Sequence, residues 1–456
     1  MKRLKILLPV HVFFPRHFYG TETYTFELAK NLQSLGHEPV VLTAIPYGEE
    51  GKGEFYTTYE YEGLPVHCID LNWKPHNRFK QTYYRPELAP VLNEILDRVR
   101  PDLVHVTHLI NHTSILLEVL RDRGIPAVAT LTDFFGICLN NKLERHDGDL
   151  CLGPNAGSTN CLACYLRAAQ PFYRGDFLKA LVSNDVLIKG VSRFFCFLSK
   201  TPGFRHGTIS GHVHDVTQRT KVLRYLYGAY KFMIAPTDFL YDAYARNAFY
   251  ADRLEKINFG INLDFDEEFK RSRKNPKSGV KFGYIGQVTR HKGVDLLINA
   301  YNGVRGKKSL FIYGPPDQDR HYMKELIRLS SGTDHVEFRG TFPREELQAR
   351  LSELDVLVIP SRWYENSPLV LLYALATKTP VVVTDVRGLS EFVSDDVNGY
   401  TFQMNNQSHL MRIMQNMVDH PEIIERLSRN ARYAMDTSDH ARKVLGLYEK
   451  ALNGIP

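Results

Sequence analysis

Two strand–loop–helix units stand back to back between Asp355 and Glu391, and they narrow the fold class more than any other stretch. Val356-Leu-Val-Ile359 is a short apolar run, as in a strand buried on both faces. Pro360 ends it. Ser367 is placed to cap a helix. Pro368 suits the first helical position, because its φ is fixed and no N–H is wanted there. Glu365 then falls in a loop just past the carboxyl end of a parallel strand, where open α/β sheets bind ligands. The layout repeats with a strand at 381–384, then Gly388 and a short helix start carrying Glu391. Backbone N–H groups at such helix starts bind phosphate.

The same alternation runs through the chain. Residues 4–10 read as a strand, 23–35 as a helix with Phe26, Leu28, Ala29, Leu32 and Leu35 near helical spacing, and 39–43 as a strand. This is a βαβ unit with an open loop through Gly20-Thr-Glu22. It lacks G-x-G-x-x-G, which argues against a dinucleotide cofactor. Asp102 to His108 reads as a strand ending in histidines, followed by helix 113–123 and strand 126–133. These strand ends are expected to bring His105, His108 and Asp133 to one rim. A charged stretch with Asn275-Pro-Lys-Ser-Gly279 reads as a linker. After it, strands near 280–286, 309–313, 335–339, 355–360 and 380–384 alternate with helices, as a doubly wound sheet requires. Asp317-Gln-Asp319 reads as a polar turn.

A chain of 456 residues exceeds what one core usually serves. The expected division is residues 1–262, a linker at 263–279, a second domain at 280–436 and a C-terminal helix at 437–456. Hydrophobic content of 43% suits a soluble globular protein. No apolar run reaches the roughly 20 residues that span a bilayer, and no signal peptide is evident; the expected compartment is the cytoplasm. Charge is uneven. Residues 166–231 hold 11 Lys/Arg against 3 Asp/Glu, inside a chain of net charge +6. Phe172, Phe177, Leu178, Phe194 and Phe197 lie among these basic residues. The segment reads either as amphipathic helices on the inner face of an anionic membrane or as helices packed on the sheet with solvated Lys and Arg. No nucleic-acid-binding module is visible. Cys138, Cys151, Cys161 and Cys164 sit in a loop rich in Gly, Pro and Asn. They read as a structural zinc site or as four unligated thiols.

The 355–391 stretch resembles the donor-sugar site of the retaining GT-B glycosyltransferases of family 4. That pattern is a strand, Pro-Ser, an aromatic, Glu, seven residues, a second Glu, then a Gly-x-x-Glu turn. The resemblance implies two Rossmann-like doubly wound domains facing a cleft, with the acceptor on the N-terminal side and a nucleotide sugar on the C-terminal side. It implies that Glu365 contacts the transferred sugar, with Asn366, Ser367, Gly388 and Glu391 around the donor. The second Glu falls on Tyr373. The 286–293 loop resembles the family's diphosphate loop: Lys292 matches its Lys, Gln287 stands at its Arg position, and Arg290 is placed to compensate. The Gly20 loop resembles the glycine loop that approaches the donor phosphates, or is simply a turn. His108, beside Thr107 at a common His position, is expected near the sugar or the acceptor hydroxyl. The resemblance implies sugar transfer to a growing glycan or lipid-linked saccharide, with no metal required for the chemistry. The alternative is a catalytically silent relative that scaffolds a glycan-assembly complex.

Overall fold

The computed structural model describes residues 2–51, 53–172, 175–199, 201, 208–262, 279–333 and 335–454. The chain forms two compact units, Met1–Asn258 with Ser438–Pro456, and Phe259–Thr437. Of the expected linker, only Gly279 falls within the described residues.

In the first unit the strands are β1 (Lys5–Pro9), β2 (Glu38–Ile45), β3 (Tyr56–Tyr61), β4 (Leu64–Asp70), β5 (Leu103–Val106), β6 (Ala127–Thr130), β7 (Tyr230–Ala235) and β8 (Leu254–Lys256). They form one sheet in the order β3-β4-β2-β1-β5-β6-β7-β8. Every pairing is parallel except β3 with β4. The central strands are short and buried on both faces, as the unbroken runs Leu103-Val-His-Val106 and Ala127-Val-Ala-Thr130 show. The order reverses between β1 and β5, so their carboxyl ends open a crevice at a topological switch point.

The second unit holds β9 (Val280–Ile285), β10 (Lys308–Tyr313), β11 (Val336–Gly340), β12 (Val356–Ile359), β13 (Val381–Thr384) and β14 (Gly399–Phe402). Its sheet is wholly parallel, in the order β11-β10-β9-β12-β13-β14. The reversal here lies between β9 and β12, the two strands whose loops carry Lys292 and Glu365. Phe282, Val356, Val358, Val382 and Leu297 lie in one buried cluster.

The helix Thr437–Asn453 buries His440, Val444, Leu447 and Tyr448, and from Ser438 on it belongs to the first unit. Tyr448 Oη meets His105 Nδ1 at 2.6 Å, and Tyr24 Oη meets His440 Nε2 at 3.0 Å.

Three local expectations change. His105 is not at the rim. It lies within β5, fully buried, with Nε2 against Thr130 Oγ1 at 2.8 Å. Burial pushes its pKa down to about 3, so it is a neutral core histidine. Gly20 is not in an open loop, because the helix Gly20–Ser34 begins at it and Glu22 sits in the first turn. Ser367 does not cap. Its φ is +52°, Pro368 takes the cap position, and the helix is Leu369–Ala376. Asp319 is a turn residue that also caps, accepting from Tyr322 N–H at 2.9 Å at the start of helix Arg320–Ser330.

Candidate functional site

In the second unit two loops meet at the switch point. The first runs from β9 through the short 3-10 turn Arg290–Lys292 into helix Val294–Gly303. The second runs from β12 to helix Leu369–Ala376. Gly293 joins them: its φ is +70°, and a Cβ there would strike the Pro360 carbonyl oxygen. Arg362 then clamps the loops. Its guanidinium donates to both oxygens of Asp295, at 2.9 and 2.7 Å, and its amide donates to the His291 carbonyl at 2.8 Å.

Glu365 is the focus of this arrangement. It is only 7% exposed. Three donors converge on its Oε1: Lys292 Nζ at 2.6 Å, Ser361 Oγ at 2.5 Å and Trp363 Nε1 at 2.8 Å. Lys292 also lies over the Trp363 ring, 5.1 Å from its centroid. A buried carboxylate held this way is pre-oriented, and a flanking ammonium can meet a second anion. The loop is set from behind by Gly388, with φ +86°, whose missing Cβ makes room for the Glu365 carbonyl oxygen. Glu365 N–H and Ser367 N–H reach the carbonyls of Arg387 and Gly388, each at 3.4 Å. Ser367 Oγ is buried with no hydrogen-bond partner among the described residues, an open polar position beside Glu365. Asn366 lies in the same loop, and Glu391 is in the 3-10 turn Ser390–Phe392. Arg290 turns elsewhere. It pairs with Glu325 at 2.5 Å and covers the Tyr322 ring.

The first unit gathers a different set at the carboxyl ends of β1 and β5. His108 pairs with Asp133 through Nε2, while its Nδ1 accepts from Ile110 N–H at 3.1 Å. Both ring nitrogens are therefore engaged. Burial alone would raise the Asp133 pKa, but the His108 charge and hydrogen bonds from His108, Phe135 N–H and Asn141 hold it below the usual value. The His11 ring lies 4.2 Å from that of His108. Its Nε2 meets Glu22 Oε1 at 3.2 Å. Burial, with His108 and His112 nearby, holds the His11 pKa well down, and burial raises that of Glu22. His11 Nδ1 and Glu22 Oε2 are buried without hydrogen-bond partners among the described residues.

Two family models match the chain. "Glycosyltransferase Family 4" covers residues 18–146, and "Glycosyl transferases group 1" covers 265–434, so the second contains the whole Lys292–Glu365 site. The chain is a GT-B protein of the family-4 glycosyltransferase type. The fold agrees: an Anabaena HepE crystal structure in complex with UDP and glucose matches at TM-score 0.63 and 15% identity, covering 98% of this chain and 100% of that one. Sucrose-phosphate synthase from Thermosynechococcus elongatus matches at TM-score 0.67 and 16% identity, covering 99% and 100%. Among curated proteins, alpha-D-kanosaminyltransferase of Streptomyces kanamyceticus is 26% identical over 40% of this chain and 49% of its own length. Lipopolysaccharide 1,2-N-acetylglucosaminetransferase of Salmonella typhimurium is 27% identical over 37% and 48%. The matched segment thus spans about half the length of these relatives.

Tyr373 lies on the helix Leu369–Ala376 that follows the Glu365 loop. It is 8% exposed, and its hydroxyl accepts from Asn262 N–H at 3.3 Å. Tyr373→Glu puts a carboxylate where a phenol is packed. We expect a loss of about 1–3 kcal/mol in stability and weaker nucleotide binding, read by urea unfolding and titration calorimetry. Tighter nucleotide binding by the variant would contradict this. Sequence reasoning missed His11, Ser361, Arg362, Trp363 and Asp295. Ser361 and Trp363 are within four residues of Glu365 and were within its reach; the others act through distant partners.

Proposed function

We propose that the protein transfers a glycosyl group from a nucleotide sugar to a hydroxyl of a growing glycan or lipid-linked saccharide, with retention at the anomeric carbon. The observation that carries this reading is the buried Lys292–Glu365 pair at the switch point of the second sheet. In the reading, Glu365 orients sugar hydroxyls, and its negative charge faces the positive character developing at the sugar ring. Lys292 stabilises the departing diphosphate, and Ser367 offers its unpartnered hydroxyl to the donor. The acceptor-side polar groups are His108 and His11. His11 is the better placed to receive a hydroxyl, since its Nδ1 has no hydrogen-bond partner among the described residues. A panel of nucleotide sugars with saccharide acceptors, followed by mass spectrometry and by NMR of the product anomer, tests the reading. A product of inverted configuration would refute retention, and no product with any donor would favour a silent scaffold.

We further propose peripheral docking on an anionic membrane through the helices Asp176–Ser183 and Asp185–Leu198. Their Val182, Ile188 and Cys196 are buried, but Phe177, Val186 and Phe197 are 78%, 78% and 68% exposed, and Phe194 is also exposed. Val186, Phe194 and Phe197 share one helix face by their spacing, with Lys179, Lys189 and Arg193 exposed nearby. Such a face combines apolar insertion with attraction to headgroups. No described helix is long and apolar enough to cross a membrane. Sedimentation with anionic vesicles should show binding that weakens with salt and falls at least several-fold in Phe194→Ser/Phe197→Ser. Equal sedimentation of variant and wild type would refute it.

A further inference from the structure

The segment between β6 and helix Thr159–Ala168 runs through residues 131–158 with little regular structure beyond an isolated bridge, Glu144 to Leu150. A stretch this long inside a folded unit needs something to order it. Cys138, Cys151, Cys161 and Cys164 all line one small pocket there, and all four are free thiols. Cys161 and Cys164 are three residues apart on helix Thr159–Ala168, so they share a face.

Two features around the sulfurs suit thiolates once a metal is bound; without one, Cys151 Sγ donates to the Gly153 carbonyl oxygen at 3.3 Å. Gly153 N–H and Asn160 Nδ2 both donate to Cys151 Sγ, at 3.4 and 3.7 Å. Donors to sulfur are the outer partners that orient and stabilise a metal-bound thiolate. The second feature is Arg219, which is 3% exposed. Its Nη2 donates to the Phe135 carbonyl at 2.6 Å, while Nη1 is buried without a hydrogen-bond partner among the described residues. That carbonyl belongs to the turn that leads into Cys138, whose N–H donates to the Phe134 carbonyl at 2.8 Å. A buried guanidinium calls for a nearby anion.

We propose that Cys138, Cys151, Cys161 and Cys164 bind one thiophilic divalent metal ion, zinc by chemical class, in a tetrahedral site that orders the 131–158 segment, with Arg219 as its counter-charge. On binding, four thiols release four protons to solvent and four sulfur–metal bonds form. The site then carries a net charge of −2, part of which Arg219 balances. Among the described residues no three His, Cys, Asp or Glu side chains are already gathered to hold an ion. Closure therefore requires rotation of the cysteine side chains, and Cys138 must give up its contact with Asn140 Oδ1 at 2.7 Å.

The test uses the full chain, purified without added metal. Elemental analysis should find about one zinc per chain. After chelation, cobalt(II) should restore the melting temperature and give sulfur-to-cobalt charge-transfer and tetrahedral d–d bands. Cys161→Ser should lose the metal, while Cys68→Ser/Cys196→Ser, outside the cluster, should keep it. Asn160→Leu retains all four sulfurs and should weaken metal affinity about 10-fold. If Cys161→Ser fails to fold, the cobalt titration of the wild type still decides. Metal-free protein with four reactive cluster thiols and no cobalt bands would overturn the proposal. So would cobalt bands that persist unchanged in Cys161→Ser.

Discussion

Glu365→Ala should lower turnover on the order of 10²–10³-fold, the scale of losing one pre-oriented electrostatic group in an active site. A stability loss of about 1–3 kcal/mol should accompany it, because Glu365 is buried and its removal leaves Ser361, Trp363 and the Lys292 ammonium without their shared acceptor. Glu365→Gln separates the two effects. It preserves the side-chain shape and most of the fold but removes the charge, so its turnover should fall nearly as far while its melting temperature moves less. Steady-state kinetics and thermal unfolding on the same preparations check both. Full turnover in either variant would remove Glu365 from the site.

Acid should unfold the first unit first. Burial lowers the pKa of His105 to about 3, and of His112 and His440 to about 4. The unfolded chain has these groups near 6.5, so below that pH it binds more protons than the folded unit. The stability they contribute is full above about pH 6.5 and is lost as pH falls toward their folded values. Each group costs up to about 1.4 kcal/mol per pH unit in that window. From pH 6.5 to 4 the three together remove on the order of 10 kcal/mol, as much as a whole domain commonly has. Asp133 acts in the same direction at still lower pH, since its folded pKa is depressed. Urea unfolding at pH 7 and pH 5, followed by circular dichroism, should show a large leftward shift of one of two transitions. Superimposed curves would contradict the account.

How much of this was visible in the residues follows from where each signal originates. Short parallel strands buried on both faces write themselves as unbroken apolar runs, so Val356–Ile359 and Val381–Thr384 were legible. Glu365 and Lys292 were legible because fixed spacings put them just past strand ends. Ser367 misled because the cap rule is local. Hydrogen bonds to Arg387 and Gly388, about twenty residues on, pull the loop into a left-handed turn. His105 misled for the same kind of reason. Its partner Tyr448 is 343 residues away, and nothing near it in the chain shows that a buried imidazole will be satisfied there. The His11–Glu22 pair and the Arg362–Asp295 clamp are likewise products of tertiary approach.

The central claim is that the Lys292–Glu365 site binds the diphosphate of a nucleotide sugar. Titration calorimetry with nucleoside diphosphates, on the wild type and on Lys292→Met, tests it without knowledge of the acceptor. At least one nucleotide should bind the wild type, and the variant should bind it on the order of 10-fold or more weakly, as expected for loss of a charge-assisted contact. The same nucleotide should raise the wild-type melting temperature with concentration, following RT ln(1 + [L]/Kd). Equal affinity in the two proteins, or no binding of any nucleoside diphosphate, would contradict the account.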